Sequence, residues 1–310
     1  MDDRRARLVY LTYRTLGAAL QRLPEPAALA AAAVVGEALY RTRPQIRAVR
    51  ARNMARVLAC TSPAVPPDPA VVDRWVRRAF RAYARYWLEG ARLPATGRDE
   101  VCRRMYVERG YEHLERGMAE GRGVVMVLPH VGSWEWGGAF LAARGYPMTT
   151  VAERIEPPEL FDWFIRQRGA LGLTVVALGG DSGGTVLKVL RSGGLVGLLA
   201  DRDIEGHGVG VRFFGGATTL PAGPATLALR TGATLVTAAV YSGPGRDHVG
   251  VIGPPVDTSR TGSLRADVAR VTQELARAME GLVRRAPEQW HLFQPNWPDD
   301  RTAAGDGRGG

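Results

Sequence analysis

From about residue 105 onward the chain alternates between two periodicities, and this alternation restricts the fold more than any other feature. Short apolar, β-branched runs recur: "GVVMVLP" (123–129), "PMTTVAE" (147–153), "LTVVALG" (173–179), "LVGLLAD" (195–201) and "TLVTAAVY" (234–241). Between and after them lie segments with helical spacing, near 134–144, 158–171, 183–191, 222–231 and 262–285. Strands taken in turn with helices predict an α/β fold with a central, mainly parallel sheet flanked by helices.

The first ninety-odd residues lack this alternation and read as helical throughout. The sequence therefore divides into an N-terminal helical, membrane-associating segment (1–95), an α/β core (96–298) and a Gly-rich tail (299–310) expected to be disordered. Within residues 5–23, Leu8, Leu11, Leu16, Leu20 and Leu23 fall near one helical face, with Arg4, Arg7, Arg14 and Arg22 beside them. Such a helix either lies in a membrane interface or packs on a core with a solvated basic rim. "PAALAAAAVVGEALY" is too short to span a bilayer about 30 Å thick. After the Pro-rich break "TSPAVPPDPA" (61–70), Trp75, Phe80, Tyr83, Tyr86 and Trp87 form an aromatic stripe of the kind usually found in a core.

The net charge of +10 rests almost wholly on arginine, since Lys188 is the single lysine. Guanidinium forks suit phosphate and carboxylate, so acidic partners such as anionic lipid headgroups are expected. Nucleic acid is not: there is no Cys/His finger, no dense basic run and no aromatic–basic signature. Cys60 and Cys102 give neither a disulfide framework nor metal-ligand spacing. The acidic start "MDDRRARLVY" lacks the order of a secretory signal, and a reducing cytosol is expected.

In open α/β sheets ligands sit beyond the carboxyl ends of the strands. His130 follows the first run, Glu153 and Arg154 the second, and Asp201, Arg202 and Asp203 the fourth. In "LPHVGSWEWGG" (128–138), Ser133 is placed to cap the next helix and Glu135 falls in its first turn. A carboxylate there could accept one imidazole proton of His130, making the other nitrogen a base. The Gly132 and Ser133 amides would face a developing oxyanion. The competing reading makes His130 a turn cap and Glu135 a partner of the helix dipole. His113, His207, His248 and His291 lack strand-end context and read as structural or exposed.

No nucleophile motif accompanies the histidine. "GGDSGG" (179–184) matches the active serine of trypsin-like proteases only locally, since a strand precedes Ser182 and a helix follows it. Ser182 reads as a helix cap, and the G-x-S-x-G elbow of hydrolases is missing. A base that activates the substrate's own hydroxyl remains.

The His-x4-Glu pair, together with "TVAERIEP", "FIRQRGALG", "LADRDIEGHGVGVRFFGGATTLPAGPATLALRTGA" and "PEQWHLFQPNW", resembles the bacterial lipid A acyltransferase family over most of residues 40–298. The likeness is strongest to its actinobacterial phosphatidylinositol mannoside acyltransferases, and heavy Arg, Ala and Gly usage fits a high-G+C genome. That branch usually carries Asn-Trp-Asp where this chain has Ser133-Trp134-Glu135; glutamate there is more familiar in the lipid A branch. The resemblance implies a peripheral enzyme at the cytoplasmic face of the plasma membrane, working in cell-envelope glycolipid synthesis. It would move a long-chain, palmitoyl-like group from acyl-CoA, its co-substrate, to a mannose hydroxyl of an anionic glycophospholipid, without metal or other cofactor. On it, His130 is the base oriented by Glu135. Glu153, Arg154, Arg168, Asp201, Arg202 and Asp203 hold the acceptor, and Gly132, Phe213, Phe214, Thr218 and Thr219 line the acyl-donor region. Transfer to a lipid A-type or other glycolipid, acyl-CoA hydrolysis, and non-catalytic lipid binding are the alternatives; oligomeric state is left open.

Overall fold

The computed structural model describes residues 3–60, 66–243 and 245–298; the tail expected at 299–310 lies outside them. Four helices come first: α1 (Asp3–Arg22), α2 (Glu25–Thr42), α3 (Pro44–Ala59) and α4 (Pro69–Arg92). Proline opens α3 and α4, where its missing N–H costs nothing, and the Asp68 side chain caps α4 through the Ala70 amide at 2.8 Å. Helix α2 crosses α4 closely at Gly36, where a Cβ would come within 2.6 Å of the Arg81 backbone.

The core is a seven-stranded sheet. Its strands are β1 (Met105–Arg109), β2 (Val124–Leu128), β3 (Met148–Ala152), β4 (Leu173–Ala177), β5 (Leu195–Leu199), β8 (Thr234–Ser242) and β9 (His248–Ile252), in spatial order β1-β9-β8-β2-β5-β3-β4. Every pairing is parallel except β8 with β9. A separate hairpin joins β6 (Val209–Phe213) to β7 (Gly216–Leu220). The α/β class, the parallel sheet and the N-terminal helical layer are as the periodicity indicates. Helices α7 (Trp134–Ala143), α8 (Pro158–Ala170), α9 (Ser182–Arg191), α10 (Gly223–Thr231) and α11 (Leu264–Arg285) fall where helical spacing was read, with α5 (Arg98–Arg104) and α6 (Tyr111–Ala119) before them.

Strand β2 is buried along its whole length, and its side chains alternate between two cores. Val125 and Val127 join a cluster with Phe213, Trp290 and Trp297; Val124, Met126 and Leu128 join another with Trp134 and Trp136. A strand dry on both faces is held in register by both, and β2 pairs with β5 residue for residue from Val124↔Leu195 to Leu128↔Leu199. Two residues beyond that last pair stand His130 and Asp201.

Candidate active site

The register of β2 and β5 makes His130 and Asp201 neighbours, and hydrogen bonds then fix both. Asp201 is fully buried. Its Oδ1 lies 2.5 Å from His130 Nδ1, and its Oδ2 accepts the His130 amide at 2.9 Å and the Trp290 indole N–H at 2.7 Å. Burial alone would raise its pKa, but His130 and the Trp290 donor outweigh that and hold the carboxyl below its ordinary range. An ionised Asp201 requires a proton on Nδ1, so Nε2 is left as the acceptor, on a ring that remains 29% exposed. Among the described residues, no serine or cysteine is hydrogen-bonded to this ring.

Glu135 is not the partner of His130. Its Oε1 accepts from the Tyr86 hydroxyl at 3.0 Å and the Arg168 guanidinium at 3.1 Å, while Oε2 is buried without a partner. One helical turn of α7 carries Glu135 toward α4 and α8, away from the β5 end where Asp201 stands. The carboxylate that holds the histidine is thus the one first read as a substrate ligand, and Asp201 is too buried to touch a substrate.

The turn after His130 also corrects two expectations. The Gly132 amide donates to Gln289 O at 2.8 Å and the Ser133 amide to Val240 O at 2.9 Å, so neither is free for an oxyanion. Ser133 sits at the start of α7 but does not cap it; its hydroxyl donates to Glu89 Oε2 at 2.7 Å. Gly132 is required here, because φ is +59° and a Cβ would fall 1.9 Å from Val240 O. Beneath the turn, Glu89 collects Ser133, Ser242, His248 and Arg85. Burial raises the Glu89 pKa, but His248 and Arg85 dominate together and bring it to about 2.

Of the other expected ligands, Arg202 bridges to Glu153 at 3.2 Å at the rim, and Arg154 stands over the Phe161 ring. Asp203 fastens its own loop, accepting from the Gly206 and Gly208 amides and the Thr219 hydroxyl. Phe213 and Phe214 are core residues against Trp290, and the Thr218 hydroxyl is spent on Asn296 O. They do not line the large apolar cavity that the N-terminal helices and α8 form. Ser182 begins α9, and Asp181 holds the cap position.

That cavity, about 650 Å³, is walled by the N-terminal helices and α8: Leu16, Leu20, Ala32, Val35, Trp87 and Phe164 form much of its wall. Tyr83, Tyr86 and Trp87, read as core, line it instead. Glu135, Tyr86 and Arg168 make its polar end. The sequence also hid the role of residues 287–297. Trp290 holds Asp201, Asn296 Nδ2 donates to Asp201 O at 3.2 Å, and the His291 amide donates to His130 O at 2.7 Å. The buried Arg50 and Asn53 of α3 pin this segment through Pro287 O, Leu292 O and Gln294 O. The one available signal was the resemblance of "PEQWHLFQPNW" to the family.

A partly exposed histidine is fixed by a buried aspartate at the ends of the central strands, and the large apolar cavity has its polar end at Glu135 in the helix that follows. The chain belongs to the bacterial lipid A biosynthesis acyltransferase family, whose model matches residues 4–299, and it is an acyl-transferring enzyme. Relatives named phosphatidylinositol mannoside acyltransferase occur in Mycobacterium tuberculosis, 37% identical over 253 residues that cover 80% of this chain and 76% of the relative. One in Mycolicibacterium smegmatis is 37% identical, with 80% and 79% covered.

Proposed function

We propose that the protein transfers a long-chain acyl group from acyl-CoA to a mannose hydroxyl of a phosphatidylinositol mannoside, at a membrane surface. The observation that carries the reading is the Asp201–His130 pair, with an apolar cavity whose polar end is Glu135 of the following helix; the relatives' names supply the acceptor class. In the proposed step His130 Nε2 takes the acceptor hydroxyl proton as the oxygen attacks the thioester carbonyl. The carbon–sulfur bond then breaks, and the thiolate takes the proton from His130. Asp201 steadies the transient imidazolium. No covalent enzyme intermediate, metal or further cofactor enters.

The cavity is within the range of small-molecule sites, and each methylene enclosed in it contributes about 0.8 kcal/mol. Glu135 and Arg168 at its polar end are suited to place the acceptor hydroxyl beside the acyl carbonyl, and the Arg202–Glu153 pair to meet the sugar at the rim. Membrane attachment is supported by exposed Leu8, Leu11, Leu16, Leu23, Val34 and Val35, with Arg7, Arg14 and Arg22 exposed beside them on α1. Leu16 and Val35 also line the cavity, so it opens on this apolar face. Among the described residues no helix is long and apolar enough to cross a membrane, which fits peripheral attachment; the cytoplasmic face is part of the proposal.

The test is incubation of the purified protein with palmitoyl-CoA and a panel of glycolipids, lipid A precursors included, with products identified by mass. A palmitoylated mannoside lipid is expected. Free palmitate formed at one rate whether or not glycolipid is present would make the protein a thioesterase instead.

A further inference from the structure

Residues 289–291 run antiparallel to the turn that carries His130. The Gly132 amide donates to Gln289 O at 2.8 Å, the His291 amide donates to His130 O at 2.7 Å, and Val131 stands opposite Trp290. Residues opposite each other in such a pair project to the same side. Val131 and Trp290 accordingly enter one core cluster, with Phe213 and Trp297. From that position the Trp290 indole N–H meets Asp201 Oδ2 at 2.7 Å.

Oδ2 thus takes two donors, the His130 amide and the indole from the segment across the core, and Oδ1 is left for His130 Nδ1. The terminal torsion of an aspartate is broad, so the amide alone would leave the carboxyl room to turn. A second donor removes that room. The direction of the Oδ1–Nδ1 bond, and with it the aim of Nε2, then depends on the indole. The indole itself is held fast. Trp290 is fully buried, its ring 5.6 Å from that of Phe214 and 6.1 Å from that of Phe213, with the Arg50 guanidinium 5.6 Å over it. Arg50 and Asn53 of α3 fasten the backbone on either side, at Pro287 O and at Leu292 O and Gln294 O.

We propose that Trp290 is a positioning residue of the reaction: its indole N–H locks the Asp201 carboxyl in the orientation that aims His130 Nε2 at the acceptor hydroxyl, and α3 anchors it there. The inference rests on His130 as the base of the proposed step and deepens that reading. It makes α3, from the N-terminal helical layer, a support of the proton transfer.

Trp297 provides a matched control. It is as deeply buried in the same cluster, and its indole N–H is also spent, but on Phe213 O at 3.1 Å in the β6–β7 hairpin. Trp290→Phe and Trp297→Phe therefore each remove one indole N–H and the same ring volume from one core. With palmitoyl-CoA and a phosphatidylinositol mannoside, Trp290→Phe is expected to lower kcat about tenfold or more, with both KM values within about twofold. Trp297→Phe, compared at equal folded concentration, is expected to keep kcat within about twofold of the unsubstituted protein. Equal losses of kcat in the two variants, or a loss confined to KM, would overturn the assignment. Replacing Trp290 by 3-benzothienylalanine keeps the shape of tryptophan and puts sulfur where the N–H stands, which covers the case of a Trp290→Phe protein that does not fold. In ¹⁵N–¹H NMR the His130 Nδ1 proton resonance is expected to move in that protein and to stay in place in Trp297→Phe. A resonance unmoved by loss of the Trp290 N–H, or moved equally in both, overturns the proposal. An unsubstituted protein that transfers no acyl group would sink the proposed function alone, since the resonance still reports whether the indole holds the pair.

Discussion

Around His130 the protein buries polar groups and spends their hydrogen bonds on one another; across α1 and α2 it exposes leucine and valine to the surroundings. Asp201 and Glu89 each hold three or more donors in a dry setting, whereas Leu8 is 66% and Val34 68% exposed. The first region resists change, because a buried carboxylate with one partner removed keeps its desolvation cost. The second has little to lose in the isolated protein and everything to gain from an apolar phase. Together they fit the proposed reading of a rigid proton-handling centre served by a helical layer that meets lipid.

The comparison can be broken first at its rigid end. His130→Ala removes the base, and acyl transfer is expected to fall by about 10²–10⁴-fold with the folded state retained; comparable rates in the two proteins would refute base catalysis. Asp201→Asn keeps the shape but offers an amide where Nδ1–H needs an acceptor, so a loss on the order of 10²–10³-fold is expected in the same assay. Glu135→Gln should act differently, raising the acceptor KM before it lowers the maximal rate.

Glu89 is testable through pH. Its pKa falls from 4.5 to about 2 on folding. A depressed carboxylate contributes stability that is fully present above its unfolded value and lost as pH falls through the folded one. Denaturant unfolding between pH 5 and pH 2 should therefore show a decline to which this group contributes up to about 3 kcal/mol. Glu89→Gln should be less stable at pH 6 and flatter over that window; parallel curves would contradict the role given to the cluster. The smallest effect lies at the apolar end. Leu8→Asp with Leu11→Asp should lower sedimentation with anionic phosphatidylglycerol vesicles about tenfold or more, and raised salt should weaken binding further by screening the arginines. Vesicle binding unchanged by the pair would place the membrane contact elsewhere.

The two regions also differed in how far the sequence revealed them. Strands such as 124–128, buried throughout, and 195–199, buried over its first three residues, announce themselves as unbroken apolar runs. β1 and β9 are less visible: β1 is an edge strand with mixed burial, and β9 begins at a histidine. His130 was legible because it ends a strand. Its partner was legible as a residue but misjudged in role, since nearness along the chain favoured Glu135. Only the order of strands in the sheet sets β5 against β2 and Asp201 against His130. Trp290 and His291 gave still less away, because they reach the site through a segment pinned from α3 nearly 240 residues earlier. The aromatic stripe of α4 has core spacing, and only the position of α1 and α2 turns Tyr83 and Trp87 into a cavity wall.

The central claim, that Asp201 rather than Glu135 fixes the proton of His130, is open to direct measurement by ¹⁵N–¹H NMR of the histidine ring near neutral pH. Nδ1 of His130 should carry the proton, with a strongly downfield resonance that persists in Glu135→Gln and disappears in Asp201→Asn. A resonance lost in Glu135→Gln and kept in Asp201→Asn would contradict the account.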